Sequence, residues 1–207
     1  MIDRQRSEVF DGGTELKLWI QMQPAIPAVE RRGCLPHPHT AVTIALVSAV
    51  LPVSVMFVCM GNICRSPMAA AVLRSELERS GVRHVTVSSA GTGGWHVGDP
   101  ADRRARTVLE RRGYPTDHQA QQFRSSWFEE YQLVVAMDRD NLRDLQRMAP
   151  TQSHAEGIRL MLEFDQEADG LDVPDPYYGG SDDFEQVLTQ IESACRGLVS
   201  HLQKPSI

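Results

Sequence analysis

Cys59-Met60-Gly61-Asn62-Ile63-Cys64-Arg65-Ser66-Pro67 decides how the chain reads. An apolar run, Val53 to Val58, precedes it, and an amphipathic run from Met68 to Leu77 follows it. That order is strand, tight loop, helix. Ser66 suits a helix N-cap and Pro67 the first helical position. A proline also turns its predecessor away from helical angles, which sets the expected boundary at Ser66. Gly61 can take positive φ, and Asn62 tolerates it better than most residues. The loop can therefore curl until successive N–H groups point into one hollow. That hollow lies over the positive end of a helix, and Arg65 adds a full charge, making a cradle for an oxyanion of phosphate size. Arg65 can hold two oxygens at once, which a lysine cannot. Cys59 stands at the base. Helix ends and cations lower a thiol from about 8.5 to ~3.5–7.5, so Cys59 is expected as a thiolate aimed at the bound anion.

Outward from this loop, strands and helices alternate. Met68, Val72, Leu73 and Leu77 line one face of the first helix, and Gly81 can end it. His84 to Ser89 reads as a second strand, Ala101 to Arg112 as a helix stopped by Gly113, Gln132 to Met137 as a third strand, and Gly157 to Met161 as a fourth. Leu142, Leu145 and Met148 mark the helix between the last two strands. Phe184, Val187, Leu188, Ile191, Cys195, Leu198, Val199 and Leu202 recur at helical spacing in the final helix, with Cys195 read as a core thiol. Such alternation predicts a parallel sheet covered on both faces. The functional crevice then lies beyond the carboxyl ends of the strands, where the Cys59 loop sits.

The string CMGNICRSPMAAAV closely resembles the low-molecular-weight protein-tyrosine phosphatases, and the resemblance continues in SAGTGGWHVGDPADRRA (Ser89 to Ala105), AMDRDN (Ala136 to Asn141) and DPYYGG (Asp175 to Gly180). It implies a flavodoxin-like α/β three-layer sandwich with a four-stranded parallel sheet, spanning residues 51–204. It also implies hydrolysis of phosphotyrosine through a phosphocysteine on Cys59, with Asp175 as general acid and base. Met60, Gly61, Asn62, Ile63, Cys64, Ser66 and Arg65 would then bind phosphate. Trp95, Tyr177 and Tyr178 would wall a slot for an aryl phosphate. Taken without the loop, Asp175 between Pro174 and Pro176 reads as an ordinary turn aspartate; the loop tips it to the catalytic role. Ser66 can serve as cap, as donor to the sulfur, or as both. Cys64 suits either loop packing or a reversible disulfide with Cys59. His96 and His118 read as structural. Asp138 and Asn141 read first as helix caps and second as braces for loops.

Composition narrows the rest. A net charge of −6 and 6% aromatic residues argue against nucleic-acid binding. Arg103, Arg104, Arg106, Arg111 and Arg112 read as the solvated face of one helix. Four cysteines are too few for a disulfide scaffold, and a thiolate nucleophile needs a reducing compartment, so the chain is read as cytoplasmic. No cofactor or metal is called for. Cys34, His37 and His39 form a cluster that lacks the second pair of a zinc site. Residues 1–50 show no sustained periodicity and read as an unstructured extension or an upstream start. Ala41 to Met60 is uncharged, but a strand at Val53 to Val58 leaves too short a remainder to span a bilayer. The expected partners are phosphotyrosine-containing proteins, and the expected state is a monomer or weak dimer.

Two enzymes of the same fold class are the alternatives. Thioredoxin-coupled arsenate reductases need further resolving cysteines, and only Cys195 follows Cys64. Protein-arginine phosphatases tend to carry a threonine where this chain has Ile63 and a smaller residue near Tyr178. A phosphotyrosine-binding module with a dead site is the non-enzymatic alternative, and it would lack Cys59, Arg65 or Asp175.

Overall fold

Alternate residues of the first strand go to opposite sides of the sheet. Val55, Phe57 and Cys59 join one buried cluster, and Met56 and Val58 join another. This is the period-2 geometry of a strand buried on both faces. The computed structural model describes residues 52–204. Residues 1–51, with the Cys34, His37 and His39 cluster and the extension read from sequence, lie outside the described residues.

In chain order the elements are β1 (Val53–Cys59), α1 (Arg65–Arg79), β2 (Val85–Gly91), α2 (Arg103–Arg111), β3 (Leu133–Ala136), α3 (Arg139–Met148), α4 (Gln152–Gly157), β4 (Arg159–Leu160) and α5 (Ser181–Leu202). Single 3-10 turns cover Ser125–Glu129 and Met161–Phe164. The sheet is four-stranded, in the order β2-β1-β3-β4, and every pairing is parallel. The four-stranded parallel α/β sandwich expected from sequence is the fold observed.

The larger core lies where α1, α2 and α5 cover one face. Its α5 stripe runs Phe184, Val187, Leu188, Ile191, Ala194, Cys195, Leu198 and Val199, all buried. Burying one large apolar side chain contributes roughly 1.5–3 kcal/mol, so this stripe is the main anchor of the C-terminal helix. The opposite face packs Phe123, Phe128, Leu145, Ile158 and Leu160 against Met56 and Val58. Successive connections from β1 and from β2 lead to strands on opposite sides of β1. The sheet therefore splits its crevice open at the carboxyl end of β1, and Cys59 is the last residue of that strand.

Two sequence readings of local structure need correction. The first helix begins at Arg65, with Cys64 in the cap position and no side-chain cap. Ser66 is thus inside the helix, and its hydroxyl is engaged elsewhere. Gly157 ends α4, which leaves only Arg159–Leu160 as the fourth strand. Thr151 caps that short helix by accepting from the His154 N–H at 3.2 Å, a local signal that outweighs the apolar run after it. Of the two residues of the Cys59 loop read as able to take positive φ, Asn62 does, with φ 56°, and Gly61 does not.

Candidate active site

The peptide units from Cys59 to Cys64 turn their carbonyls outward, and each of five carbonyls has a donor. Cys59 O accepts from Thr92 N at 2.8 Å, Met60 O from Gly93 N at 2.9 Å, Ile63 O from Asp102 N at 2.7 Å and Cys64 O from Met68 N at 3.2 Å. Asn62 O lies 2.7 Å from His118 Nε2. In a planar trans peptide the N–H of the next residue points opposite to the C=O. Outward carbonyls on Cys59, Met60, Asn62 and Ile63 therefore aim the N–H groups of Met60, Gly61, Ile63 and Cys64 inward. The hollow is built by tethering the outside of the loop. Gly91, opposite Cys59 in the β1–β2 register, directly precedes the tethering residues Thr92 and Gly93. A Cβ at Gly91 would sit 2.7 Å from Met60 O and 3.1 Å from Asn62 N, so no side chain fits without moving the loop.

Asn62 is fully buried, and its side chain closes the loop's base. Its Nδ2 donates to Ser66 Oγ at 2.9 Å and to Ser89 Oγ at 3.0 Å, and its Oδ1 accepts from Gln121 N at 2.9 Å. These bonds offset the strain of the left-handed backbone, which asparagine bears better than most residues. His118 is structural, as read from sequence. Burial pushes its imidazole below the usual value of 6.5, although the bond to Asn62 O opposes this. A neutral ring at neutral pH can then serve as the Nε2–H donor that Asn62 O requires.

The thiol of Cys59 is buried at the floor. Its sulfur accepts from Asn62 N at 3.3 Å and lies 3.0 Å from Ser66 Oγ. Ser66 Oγ is also 3.2 Å from Ala90 O and accepts from Asn62 Nδ2. Its single proton is thereby directed toward either the sulfur or that carbonyl.

Arg65 is buried and spans the site. Nη1 donates to Asp138 Oδ2 at 2.5 Å and to Val173 O at 3.0 Å, while Nη2 donates to Asp175 Oδ2 at 2.6 Å. Burial opposes the guanidinium's charge. Cys59, Asp175 and the bond from Asp138 outweigh it, so Arg65 holds its proton more firmly than usual. Asp138 does two jobs: Oδ1 caps α3 by accepting from Asn141 N at 2.7 Å, and Oδ2 orients Arg65. The sequence predicts the capping role and a bracing of loops as the second; the particular partner, Arg65, is set by the side-by-side pairing of β1 and β3, which no local pattern reveals. Asp175, read as the acid, is brought to the same hollow. Its Oδ1 accepts from Tyr177 N at 3.1 Å, a local Asx turn that aims the carboxylate.

Above the floor lies a cavity of about 310 Å³ lined by Cys59, Met60, Gly61, Ile63, Cys64, Arg65, Trp95, His96, Asp175, Tyr177 and Tyr178. The three aromatic residues expected at the entrance all line it, with Trp95 75% and Tyr178 97% exposed. Tyr177 and Tyr178 pack edge to face, their centroids 5.0 Å apart. His96, read as structural, also faces this cavity, with Nδ1 3.1 Å from Asp99 Oδ2. It packs over Gly61: a Cβ there would come within 3.1 Å of His96 Cδ2, a tight contact that the imidazole would have to ease by a small shift. Cys64 is buried on the cavity wall, and burial, with the nearby Asp102 charge, pushes its thiol well above the usual range. Cys64 therefore sits in its resting state as a protonated packing residue.

Sheet order and loop together define an α/β protein with a phosphate-sized anion hollow beside a thiol. The family model for low molecular weight phosphotyrosine protein phosphatase matches residues 54–206, and the chain belongs to that family of hydrolases. A low molecular weight protein-tyrosine-phosphatase of Streptomyces coelicolor is 52% identical over 153 residues, which cover 72% of this chain and 93% of that protein. Low molecular weight protein-tyrosine phosphatase A of Mycobacterium tuberculosis is 47% identical over 150 residues, 71% of this chain and 90% of the relative. Among solved structures, a protein tyrosine phosphatase from Entamoeba histolytica superposes with a TM-score of 0.70 at 37% identity, covering 73% of this chain and 97% of that one. Among the described residues, no helix is long and apolar enough to cross a membrane.

Proposed function

We propose that the chain hydrolyses phosphotyrosine in proteins, and small aryl phosphates, in two steps. The Cys59 thiolate attacks phosphorus; the S–P bond forms as the P–O bond to the phenol breaks, and Asp175 gives its proton to the leaving oxygen. Water then attacks the phosphocysteine and passes a proton to Asp175. The O–P bond forms, the S–P bond breaks, and the Ser66 hydroxyl donates to the departing sulfur. Arg65 and the inward N–H groups bind the equatorial oxygens in both transition states. The reading needs no metal or organic cofactor.

The observation that carries this reading is the 2.6 Å bond from Arg65 Nη2 to Asp175 Oδ2. It brings a carboxylate 110 residues downstream of Arg65 to the same hollow as the thiol. Two features favour an aryl ester over the alternatives. Ile63 and the Tyr177–Tyr178 pair give the slot flat apolar walls. Cys195, the one cysteine downstream of Cys64, is fully buried on α5 against Ala69 O, too enclosed to resolve an oxidised Cys59. The nucleophile must stay unoxidised to act, so a reducing compartment, the cytoplasm, suits it.

Initial rates on phosphotyrosine, phosphoserine and phosphoarginine peptides test the substrate class. Phosphotyrosine is expected to be preferred by roughly 10²-fold or more, since a shorter side chain leaves the slot unfilled and its phosphate short of the floor. Equal or faster turnover of phosphoarginine would assign the enzyme to the arginine-directed class instead.

A further inference from the structure

Arg104 was grouped by sequence with four neighbouring arginines as a solvated face, and the structure separates it from them. Arg111 and Arg112 reach Glu185 and Glu192 on α5. Arg106 Nε returns to Ala101 O. Arg104 turns toward the active site. Its Nε and Nη2 bond the two oxygens of Asp102 at 3.0 and 2.9 Å. Nη2 also donates to Tyr177 O at 3.0 Å and Nη1 to Gly179 O at 2.8 Å. The guanidinium carbon lies 4.7 Å over the ring of the buried Phe184.

These contacts form one connected path between the two halves of the site. Asp102 N donates to Ile63 O of the phosphate loop at 2.7 Å. Asp102 caps α2 and pairs with Arg104, whose bonds hold its carboxyl below the usual range. Tyr177 is then gripped at both ends, its C=O by Arg104 and its N–H by Asp175 Oδ1. The other bond to the Asp175 carboxylate comes from Arg65, the guanidinium that a phosphate ester must claim. Once the ester takes Arg65, Tyr177 N remains as the bonded donor that orients Asp175, and Arg104 is what keeps Tyr177 in place.

We propose that Arg104 is a positioning residue for Asp175. It ties the Tyr177–Gly179 backbone to the phosphate loop through Asp102, so the carboxyl stays over the leaving oxygen after phosphate has displaced it from Arg65. The inference rests on the reading of Asp175 as general acid. A planar fork with five N–H donors serves four acceptor oxygens on three residues at once; a lysine ammonium cannot match that geometry or the stacking on Phe184.

The test is kcat/KM for a series of aryl phosphates whose leaving groups range from dinitrophenol to phenol, measured on the wild type, Arg104→Ala, Arg104→Lys and Asp175→Asn. A misplaced acid matters only where the leaving group needs a proton. Arg104→Ala is expected to stay within about twofold of wild type on dinitrophenyl phosphate and to lose about 10- to 100-fold on phenyl phosphate. Arg104→Lys recovers only part of that loss, and inhibition by inorganic phosphate stays near wild type in both variants. A uniform loss across the series, or no loss on phenyl phosphate, overturns the proposal. Should Arg104→Ala not fold, Arg104→Lys decides by the same comparison. If Asp175→Asn itself leaves the leaving-group dependence unchanged, the acid assignment fails; if Asp175→Asn steepens it and the Arg104 variants do not, only the Arg104 proposal fails.

Discussion

Cys59→Ser is expected to lower kcat on the order of 10⁶-fold while leaving phosphate binding nearly intact. The two effects separate because different atoms carry them. The inward N–H groups are fixed by the outward tethers from Thr92, Gly93, Asp102 and His118, and none of these touches the sulfur. Serine fills almost the same volume at the buried floor, so the hollow keeps its shape. Its hydroxyl is a far poorer nucleophile than sulfur. Steady-state turnover of p-nitrophenyl phosphate and calorimetric titration with inorganic phosphate measure the two halves. A kcat within tenfold of wild type contradicts the covalent route, and a lost phosphate affinity contradicts the separation of hollow from nucleophile.

Asp175→Asn has the second largest expected effect. A positioned acid contributes typically 10²–10⁴-fold, and kcat/KM for phenyl phosphate is expected to fall within that range. The variant should also bind inorganic phosphate several-fold more tightly. The Asp175 carboxylate lies 2.6 Å from Arg65 Nη2. An incoming dianion competes with that carboxylate for the guanidinium and is repelled by its charge. A neutral amide removes both penalties. Turnover and affinity thus move in opposite directions, which loss of structure alone does not produce. Unchanged or weaker phosphate binding in Asp175→Asn would count against the arrangement in which Arg65 is shared.

The sequence carried the fold because its period-2 and helical patterns are strong and local. β1, α1 and α5 stand out from their own residues, and the loop motif names Cys59, Arg65 and Ser66 directly. Asp175 was legible only in company, since an Asp between two prolines is by itself a turn. What stayed hidden depends on tertiary contact. Asp138 looks like a helix cap, which it is, and its second oxygen reaches Arg65 across 73 positions of sequence. Arg104 looks like surface charge because its partners beyond Asp102, Tyr177 O and Gly179 O, are backbone carbonyls, and a carbonyl leaves no mark in a sequence. His96 reads from sequence as a lone loop histidine, and only the fold shows it packed over Gly61. Asn62 took the left-handed position that Gly61 seemed suited to, because Ser66, Ser89 and Gln121 hold its side chain. Gly61 does not take positive φ.

The central claim is a phosphoryl group carried on the sulfur of Cys59. The most direct test mixes the enzyme with p-nitrophenyl phosphate, quenches it in acid within the first turnovers, and maps the phosphorylated peptide by mass spectrometry. The expected result is one added phosphoryl group, HPO₃, on the peptide containing Cys59, absent from Cys59→Ser and prolonged in Asp175→Asn, where water lacks its base. A phosphoryl group found on any other residue, or product released with none trapped under conditions that preserve phosphocysteine, would contradict it.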